Sequence, residues 1–244
     1  MKRKTPLLLF LVLLLFQGCR STESVSDTDY TTHIYYSIDD SVENDPSMAA
    51  YVLPYVKEMG KTMNRPLVVS RGAFERGKPE GALGNLTADI VRFRAMAELR
   101  KKVDVGILNN GGLRIPLPEG EINVGHIYEL MPFENHIAVL EFTGDQLLSI
   151  ADELAAVNGE AVSGIRFRIV DGRARDVLVD SMTVDPERTY LVATNNWMAD
   201  GGGASSTLWE PVQRIDLNVL IRDAFIEYLN HREFIEPYID QRIR

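Results

Sequence analysis

Short apolar runs alternate with longer amphipathic segments along most of this 244-residue chain. Four runs, PLVVS, VDVGIL, HIAVLEF and TYLVATN, have the length and the branched or aromatic residues of β-strands. The segments between them place apolar residues every three or four positions, as α-helices do. The alternation has no strict repeat and no internal linker. It therefore predicts an α+β (mixed α/β) fold, a single domain of mixed sheets covered by helices.

Three helices are predicted from their caps and spacing. Asp45 can cap the first, Pro46 suits its first turn, and SMAAYVLPYVKEMGKTM continues it. The second is ALGNLTADIVRFRAMAELRKK, which has Asn85 near its start and basic residues at its end. The third is TGDQLLSIADELAAV, for which Thr143 is a suitable cap.

Two further elements are predicted towards the C-terminus. The segment AVSGIRFRIVDGRARDVLV has the pattern of a hairpin that turns at Asp171-Gly172. An amphipathic stretch follows from about Asn218 to Tyr228. We expect the folded domain to span residues 33–244.

The N-terminus has the pattern of an export signal. MKRK followed by TPLLLFLVLLLF combines a charged start with a short apolar run, which predicts a signal peptide over residues 1–18. The next residue, Cys19, is the only cysteine, and this placement is typical of a bacterial lipoprotein whose cysteine is lipidated. An ordinary signal peptide with a chance cysteine is the alternative. Residues 19–32 then form a polar, flexible tether, and we expect a protein anchored in the bacterial cell envelope.

Charge and composition exclude several classes of function. The formal net charge is −9, and loss of the three cations at Lys2, Arg3 and Lys4 would make it about −12, so nucleic acid is not an expected partner. A single cysteine cannot form an intramolecular disulfide. None of the four histidines has metal-ligand spacing, and no phosphate loop or nucleophile elbow is present. We therefore predict no catalytic residue, no metal ligand and no cofactor in this chain.

Three loops next to predicted strands could bind a ligand. In NNGGLR, glycines let the backbone approach a ligand and Arg114 suits a phosphate or carboxylate; a tight turn with a surface ion pair is the alternative. In LMPFEN, Phe133 precedes a strand, where such a ring is more often core. In TNNWMADGGG, Trp197 could stack on a planar ligand or could simply plug a glycine-rich loop.

Taken together and in order, these motifs resemble a known family. GALGNLTAD, the segment ILNNGGLRIPLPEGEINVGHIYELMPFENHIAVLEFTGDQL, AVSGIRF and YLVATNNWMADGGG are similar to the C-terminal domain of the 5′-nucleotidase family. In that family an N-terminal dinuclear metallophosphoesterase domain hydrolyses the substrate, and the C-terminal domain binds the nucleoside. The resemblance thus implies a substrate-binding domain, with divalent metals expected on a partner domain.

The resemblance also assigns candidate substrate-binding residues. It implies that Asn109 and Arg114 contact the substrate, with Arg114 taking a phosphate or another anion. Phe133 and Trp197 would enclose the base, and Asn135 would hydrogen-bond to it. Asn85 lies in the GNL motif, where we expect a structural role.

Two positions depart from the family pattern. The aspartate that commonly grips the ribose hydroxyls is replaced by Gly203, the last of the six expected substrate-binding positions, which predicts weaker or broader sugar recognition. Asp200 lies nearby as a possible substitute. Arg76 is the nearest candidate for a second substrate-binding arginine.

Three functions are compatible with these features. The first is the nucleotide-binding half of a split 5′-nucleotidase, acting with a separate metallophosphoesterase chain. The second is a stand-alone nucleoside-binding lipoprotein. The third is a degenerate scaffold without ligand, of which the loss of the ribose aspartate would be the first sign.

Overall fold

The computed structural model describes residue 39 and residues 41–244. The predicted signal peptide, Cys19 and the tether therefore lie outside the described residues. Residues up to 49 and residues 50–244 form two separate units, and the sheets, the core and the contacts between elements described below all lie within residues 50–244. None of the helices in the described part of the chain has both the length and the apolar character to cross a bilayer.

The first described helix, α1, is exposed over most of its length, and only Gly60 and Met63 near its end are half-buried. It runs from Pro46 to Met63, with Pro54 inside it, and none of its residues is buried. The predicted cap is confirmed, because Oδ1 of Asp45 accepts hydrogen bonds from the backbone N–H groups of Ser47 and Met48 at 2.8 and 3.2 Å. The helix exposes seven large apolar side chains: Met48, Tyr51, Val52, Leu53, Tyr55, Val56 and Met59.

A five-stranded mixed sheet forms the centre of the second unit. Its order is β10-β4-β9-β2-β5, with β2 at Val105–Leu108, β4 at His136–Thr143, β5 at Ala161–Ser163, β9 at Thr189–Asn195 and β10 at Gln213–Leu220. Strands β2 and β9 are parallel, and the other three pairs are antiparallel. All three strands predicted for this region are confirmed.

Helices cover both faces of this sheet. Successive strand residues point to opposite faces, so Val139 of β4 packs with α2 (Ala82–Leu99) and α6 (Ile221–Asn230), while Phe142 packs with α4 (Gly144–Ala156). Thr143 caps α4 and exchanges hydrogen bonds with Gln146 in a capping box, which confirms the predicted cap. The structure thus has the α+β architecture that the sequence pattern predicts.

Two three-stranded sheets flank the centre. In one, β1 (Pro66–Ser70) lies between β3 (Gly120–Asn123) and β11 (Phe234–Ile235). The other has the order β6-β7-β8, with β6 at Ile165–Val170, β7 at Arg173–Val179 and β8 at Met182–Thr183. The predicted hairpin is confirmed as β6–β7, except that its first three predicted residues, Ala161–Ser163, form β5 of the central sheet. Asp171 and Gly172 both have positive φ, 52° and 72°, as a tight hairpin turn requires.

The segment after residue 210 differs from the sequence-based expectation. The amphipathic stretch predicted from Asn218 begins inside β10, and the helix α6 starts only at Ile221. Strand β10 pairs with β4 along Gln213–Asp216 and again at Leu220. Its side chains are exposed or only half-buried, so it lacks the apolar run by which the other central strands were recognised.

The C-terminal tail is fastened to α2 by a buried ion pair. Nη1 and Nη2 of Arg242 donate to the two carboxylate oxygens of Asp89, each at 2.8 Å, and Ser163 and Tyr238 donate to the same carboxylate. Burial alone would raise the pKa of Asp89, but the hydrogen bonds from Arg242, Ser163 and Tyr238 outweigh it and hold that pKa below its ordinary value. Asn85 is buried beside this cluster and donates to Glu80, which fits its expected structural role.

Candidate functional site

Three loops meet at one edge of the central sheet. Strands β2 and β9 are parallel and end there, and β4 starts there because it runs antiparallel to β9. The loops that follow β2 and β9 and the loop that precedes β4 therefore enclose a common pocket of about 320 Å³. The pocket is lined by Asn109, Gly111, Gly112, Arg114, Phe133, Asn135 and Trp197. The structure thus brings together five of the six residues predicted to bind substrate.

Two aromatic rings form walls of this pocket. Phe133 is 46% exposed and Trp197 is 48% exposed, so neither ring is part of the core. Large aromatic side chains left this open beside a cavity provide flat apolar surfaces for a planar ligand. The burial values therefore exclude the core assignment for Phe133 that its residue type alone would favour.

Arg114 contributes the positive charge of the pocket. Its Nη1 donates to the carbonyl oxygen of Gly111 at 3.3 Å, and its guanidinium carbon lies 5.7 Å from the centre of the Phe133 ring. Among residue 39 and residues 41–244, no carboxylate oxygen lies within 4.0 Å of its guanidinium nitrogens. The expected alternative, a surface ion pair, is thus not formed there, and the guanidinium can pair with an anion in the pocket.

Hydrogen bonds from several asparagine side chains connect the loops around the pocket. Nδ2 of Asn195 donates to Oδ1 of Asn109 at 3.0 Å, and Oδ1 of Asn195 accepts from the backbone N–H of Met198 at 2.7 Å. Oδ1 of Asn196 accepts from the backbone N–H of His136 at 2.9 Å. Asn195 is only 3% exposed and was not predicted as a site residue. Asn195 is the last residue of β9 and precedes the short helix α5 (Asn196–Ala199), and this position is a local signal for a helix cap, since asparagine is a preferred N-cap.

Glycine-rich sequence after α5 supports the Trp197 ring. A Cβ on Gly202 would stand only 2.3 Å from Cδ2 of Trp197, so the ring lies directly on this glycine. Gly203 has φ of +85° and lies beside the edge of the same ring, but it is not among the residues that line the pocket. Of the six predicted residues, it is the one that the structure leaves out of the cavity wall.

Glu153 of α4 holds the glycine-rich loop that follows α5. This carboxylate accepts hydrogen bonds from the hydroxyls of Ser205, Ser206 and Thr207 and from the backbone N–H of Thr207. Burial raises the pKa of Glu153, but these four donors outweigh it and bring the pKa below its ordinary value. The ionised carboxylate thus ties the glycine-rich loop to the body of the domain.

The remaining candidates lie elsewhere. Asp200 forms an ion pair with Arg214 at 2.6 Å, and neither it nor Arg76 lines the pocket. Trp209 does not line it either. His126 takes part in the capping box of α3 (Val124–Leu130) and thus has a structural role. The described residues contain no group of three or more His, Cys, Asp or Glu side chains arranged to hold a metal ion.

Comparison with known proteins identifies the family. The sequence model of the family 5′-nucleotidase, C-terminal domain, matches residues 58–209, which include the three pocket loops. The chain belongs to this family. The resemblance inferred from the loop motifs is thereby confirmed.

Individual relatives of this 5′-nucleotidase C-terminal domain are much longer proteins. The trifunctional nucleotide phosphoesterase YfkN of Bacillus subtilis is 25% identical over 91% of the chain and 17% of its own length. The endonuclease YhcR of the same organism is 29% identical over 85% of the chain and 17% of its own length. The chain therefore spans less than a fifth of these curated relatives.

A solved structure shares the fold. The 5′-nucleotidase precursor of Thermus thermophilus superposes with a TM-score of 0.70 and 25% identity, over 80% of this chain and 42% of that one. The predicted fold of the 5′-nucleotidase C-terminal type is thus confirmed.

Proposed function

We propose that this 5′-nucleotidase C-terminal domain binds a nucleoside phosphate and positions it for hydrolysis at a metallophosphoesterase site on a partner. The observation that carries the proposal is the pocket in which Phe133, Trp197 and Arg114 converge. Two open aromatic faces and a guanidinium that has no carboxylate partner within the described part of the chain match the two chemically distinct ends of a nucleotide, a planar base and an anionic phosphate.

The dimensions of the pocket support this assignment. Its volume of about 320 Å³ lies in the range that holds small ligands. The base would stack between Phe133 and Trp197, and the amides of Asn109 and Asn135 can each donate and accept hydrogen bonds at its edge. No aspartate occupies position 203, so we expect the ribose hydroxyls to contribute little to affinity.

Hydrolysis itself would take place on the partner. There, divalent metals would supply an activated water and neutralise the phosphate, while this chain holds base and phosphate in place. Two observations support a partner: the relatives extend far beyond the part that this chain matches, and α1 exposes seven large apolar side chains. Exposed apolar surface of this extent is typical of protein–protein interfaces.

We further propose that Cys19 carries the lipid that anchors the protein in the bacterial cell envelope. The support is the sequence of residues 1–19, with its charged start, apolar run and single cysteine. Metabolic labelling with palmitate, compared between the wild type and Cys19→Ser, tests this directly. Equal labelling of the two proteins would overturn the anchor.

Ligand binding is tested with the two tryptophans as probes. Trp209→Phe leaves Trp197 as the only tryptophan, and its fluorescence should be quenched to saturation by adenosine and by AMP. Calorimetry then compares Trp197→Phe, which keeps an aromatic face, with Trp197→Ala, which removes it. We expect Trp197→Phe to retain most of the affinity and Trp197→Ala to lose it. A folded wild-type protein that binds neither ligand at millimolar concentration would instead support the degenerate scaffold.

The partner is tested separately. A protein that binds AMP but releases no phosphate when metals are added would fit the proposed division of labour. Release of phosphate after addition of a metallophosphoesterase from the same cell would support the split enzyme, whereas its absence with every such enzyme would favour a stand-alone binding protein.

A further inference from the structure

Arg222 is a buried cation that has no counter-anion in the described part of the chain. It lies in the first turn of α6 and is 8% exposed. Among residue 39 and residues 41–244, no carboxylate oxygen lies within 4.0 Å of its guanidinium nitrogens. Its Nη1 reaches the carbonyl oxygen of Met131 only at 3.5 Å, and its Nε is buried with no hydrogen-bond partner among the residues that the structure describes.

Burial of such a group is costly unless something compensates for it. A buried charge and a buried unpaired donor each destabilise a fold. The ring of Tyr128, whose centre lies 4.1 Å from the guanidinium carbon, offsets part of that cost by a cation–π contact. The hydrogen-bonding capacity of the guanidinium remains mostly unused. Because its burial destabilises the fold, the residue is a candidate for ligand binding.

The position of Arg222 connects it to the candidate site. It lines a small cavity of about 30 Å³, whose wall shares Asn109, Gly112, Phe133 and Asn135 with the larger pocket. The small cavity is therefore the inner end of the same site. Its volume fits one or two atoms the size of water and excludes a ribose or a phosphate. An exocyclic atom of a base stacked between Phe133 and Trp197 is of the right size to enter it.

We propose that Arg222 selects nucleobases that present a carbonyl oxygen to this inner cavity, such as hypoxanthine, guanine or uracil. A guanidinium has five N–H donors and no acceptor, so it can pair with a carbonyl oxygen but not with an exocyclic amino group. Adenine would place its amino group against these donors and leave both sides unsatisfied. Asn109 and Asn135 do not impose this choice, because an amide can present either its oxygen or its NH₂ group.

This inference rests on the proposed function, since it requires that a base occupies the pocket. The test uses inosine and adenosine, which differ at position 6 of the base and lack a phosphate that could engage Arg114. Affinities are measured by calorimetry for the wild type, for Arg222→Met and for Arg232→Met. Arg232 is a matched control, because it also stacks on a tyrosine, Tyr228, but is exposed and lines neither cavity.

We expect the wild type and Arg232→Met to bind inosine roughly tenfold or more tightly than adenosine. Arg222→Met should lose this preference, mainly through weaker binding of inosine, and should unfold at the same temperature as the wild type or higher. Equal binding of both nucleosides by the wild type, or an unchanged preference in Arg222→Met, would overturn the role of Arg222 and leave the proposed function intact. If the wild type is folded and binds neither nucleoside, the proposed function itself fails, and this inference with it.

Discussion

The indole ring of Trp197 lies so close to the backbone of Gly202 that no side chain fits between them. A Cβ at position 202 would stand 2.3, 2.4 and 2.6 Å from Cδ2, Cε2 and Cε3 of the ring, far inside the distance that real Cβ atoms keep. The orientation of this pocket wall therefore depends on the absence of a side chain five residues further along the chain. The glycines of this loop are therefore needed for the close approach of the Trp197 ring as well as for the turn.

The first prediction concerns this contact. Gly202→Ala should displace the Trp197 ring, change its near-ultraviolet circular dichroism and lower the affinity for AMP about tenfold or more, because the stacking surface moves. Gly60→Ala is the control, since a Cβ there meets nothing closer than 3.6 Å and lies in α1. Unchanged ligand affinity in a folded Gly202→Ala protein would show that the ring position does not matter for binding.

The second prediction separates phosphate from base recognition. Arg114→Ala should weaken AMP binding by about tenfold to a hundredfold, since a charge-assisted hydrogen bond contributes about 1.5–3 kcal/mol. Binding of adenosine should change little. Arg76→Ala, which alters an exposed arginine outside the pocket, should affect neither ligand. Equal losses for AMP and adenosine would assign Arg114 to the structure of the loop rather than to the phosphate.

The third prediction concerns the ion pair that holds the C-terminal tail. Asp89→Asn should lower the free energy of unfolding at pH 7 by about 3 kcal/mol, because it removes the carboxylate that pairs with both terminal nitrogens of the buried Arg242 and leaves only Asp240 at its Nε. Asp176→Asn, which removes an exposed partner of Arg168, is the control and should cost less than about 1 kcal/mol. Urea unfolding measures both.

The difference in free energy of unfolding between the wild type and Asp89→Asn should depend on pH, because the pKa of Asp89 is depressed. Its ordinary value is 3.8, and the folded-state pKa lies below it, so the carboxylate stabilises the fold fully above the ordinary value. This contribution is lost as the pH falls through the folded-state pKa. The gap between wild type and Asp89→Asn should therefore be constant near neutral pH and shrink below about pH 4. A gap that stays constant down to the acid limit would contradict the ion pair.

The fourth prediction concerns the loop anchored by Glu153. Glu153→Gln removes the charge that accepts hydrogen bonds from Ser205, Ser206 and Thr207. We expect faster cleavage of this loop by a nonspecific protease and a lower affinity for AMP, because the loop also carries Gly202 under Trp197. Glu98→Gln, on the exposed part of α2, is the control. Wild-type protection in Glu153→Gln would show that the loop is held by other contacts.

Much of the fold is predictable because its signals are local. The caps Asp45 and Thr143, the hairpin turn at Asp171-Gly172 and the apolar strands each depend on residues a few positions apart. Strands β3, β8, β10 and β11 escaped prediction, since they are short or largely exposed and form only where a partner strand offers its hydrogen bonds.

The residues of the candidate site also divide into those that local sequence predicts and those that it does not. The motifs of the three loops were sufficient to select Asn109, Arg114, Phe133, Asn135 and Trp197, all of which line the pocket. The local pattern at Asn195 indicated at most a helix cap and not its hydrogen bond to Asn109, which is 86 positions away. No local pattern indicated Arg222, which lines the inner cavity from α6. Gly203 was selected by its place in a motif and lies beside the pocket wall rather than in it.

The sequence by itself determined the class of fold, the family and the chemical types available at the sheet edge, because periodicity, caps and motifs are properties of neighbouring residues. Only the tertiary structure decided which of those side chains share a pocket and which polar groups are buried without partners. The physical reason is that burial, desolvation and hydrogen bonding depend on which segments meet in space. Here the order and direction of β4, β9 and β2 bring three loops to one edge.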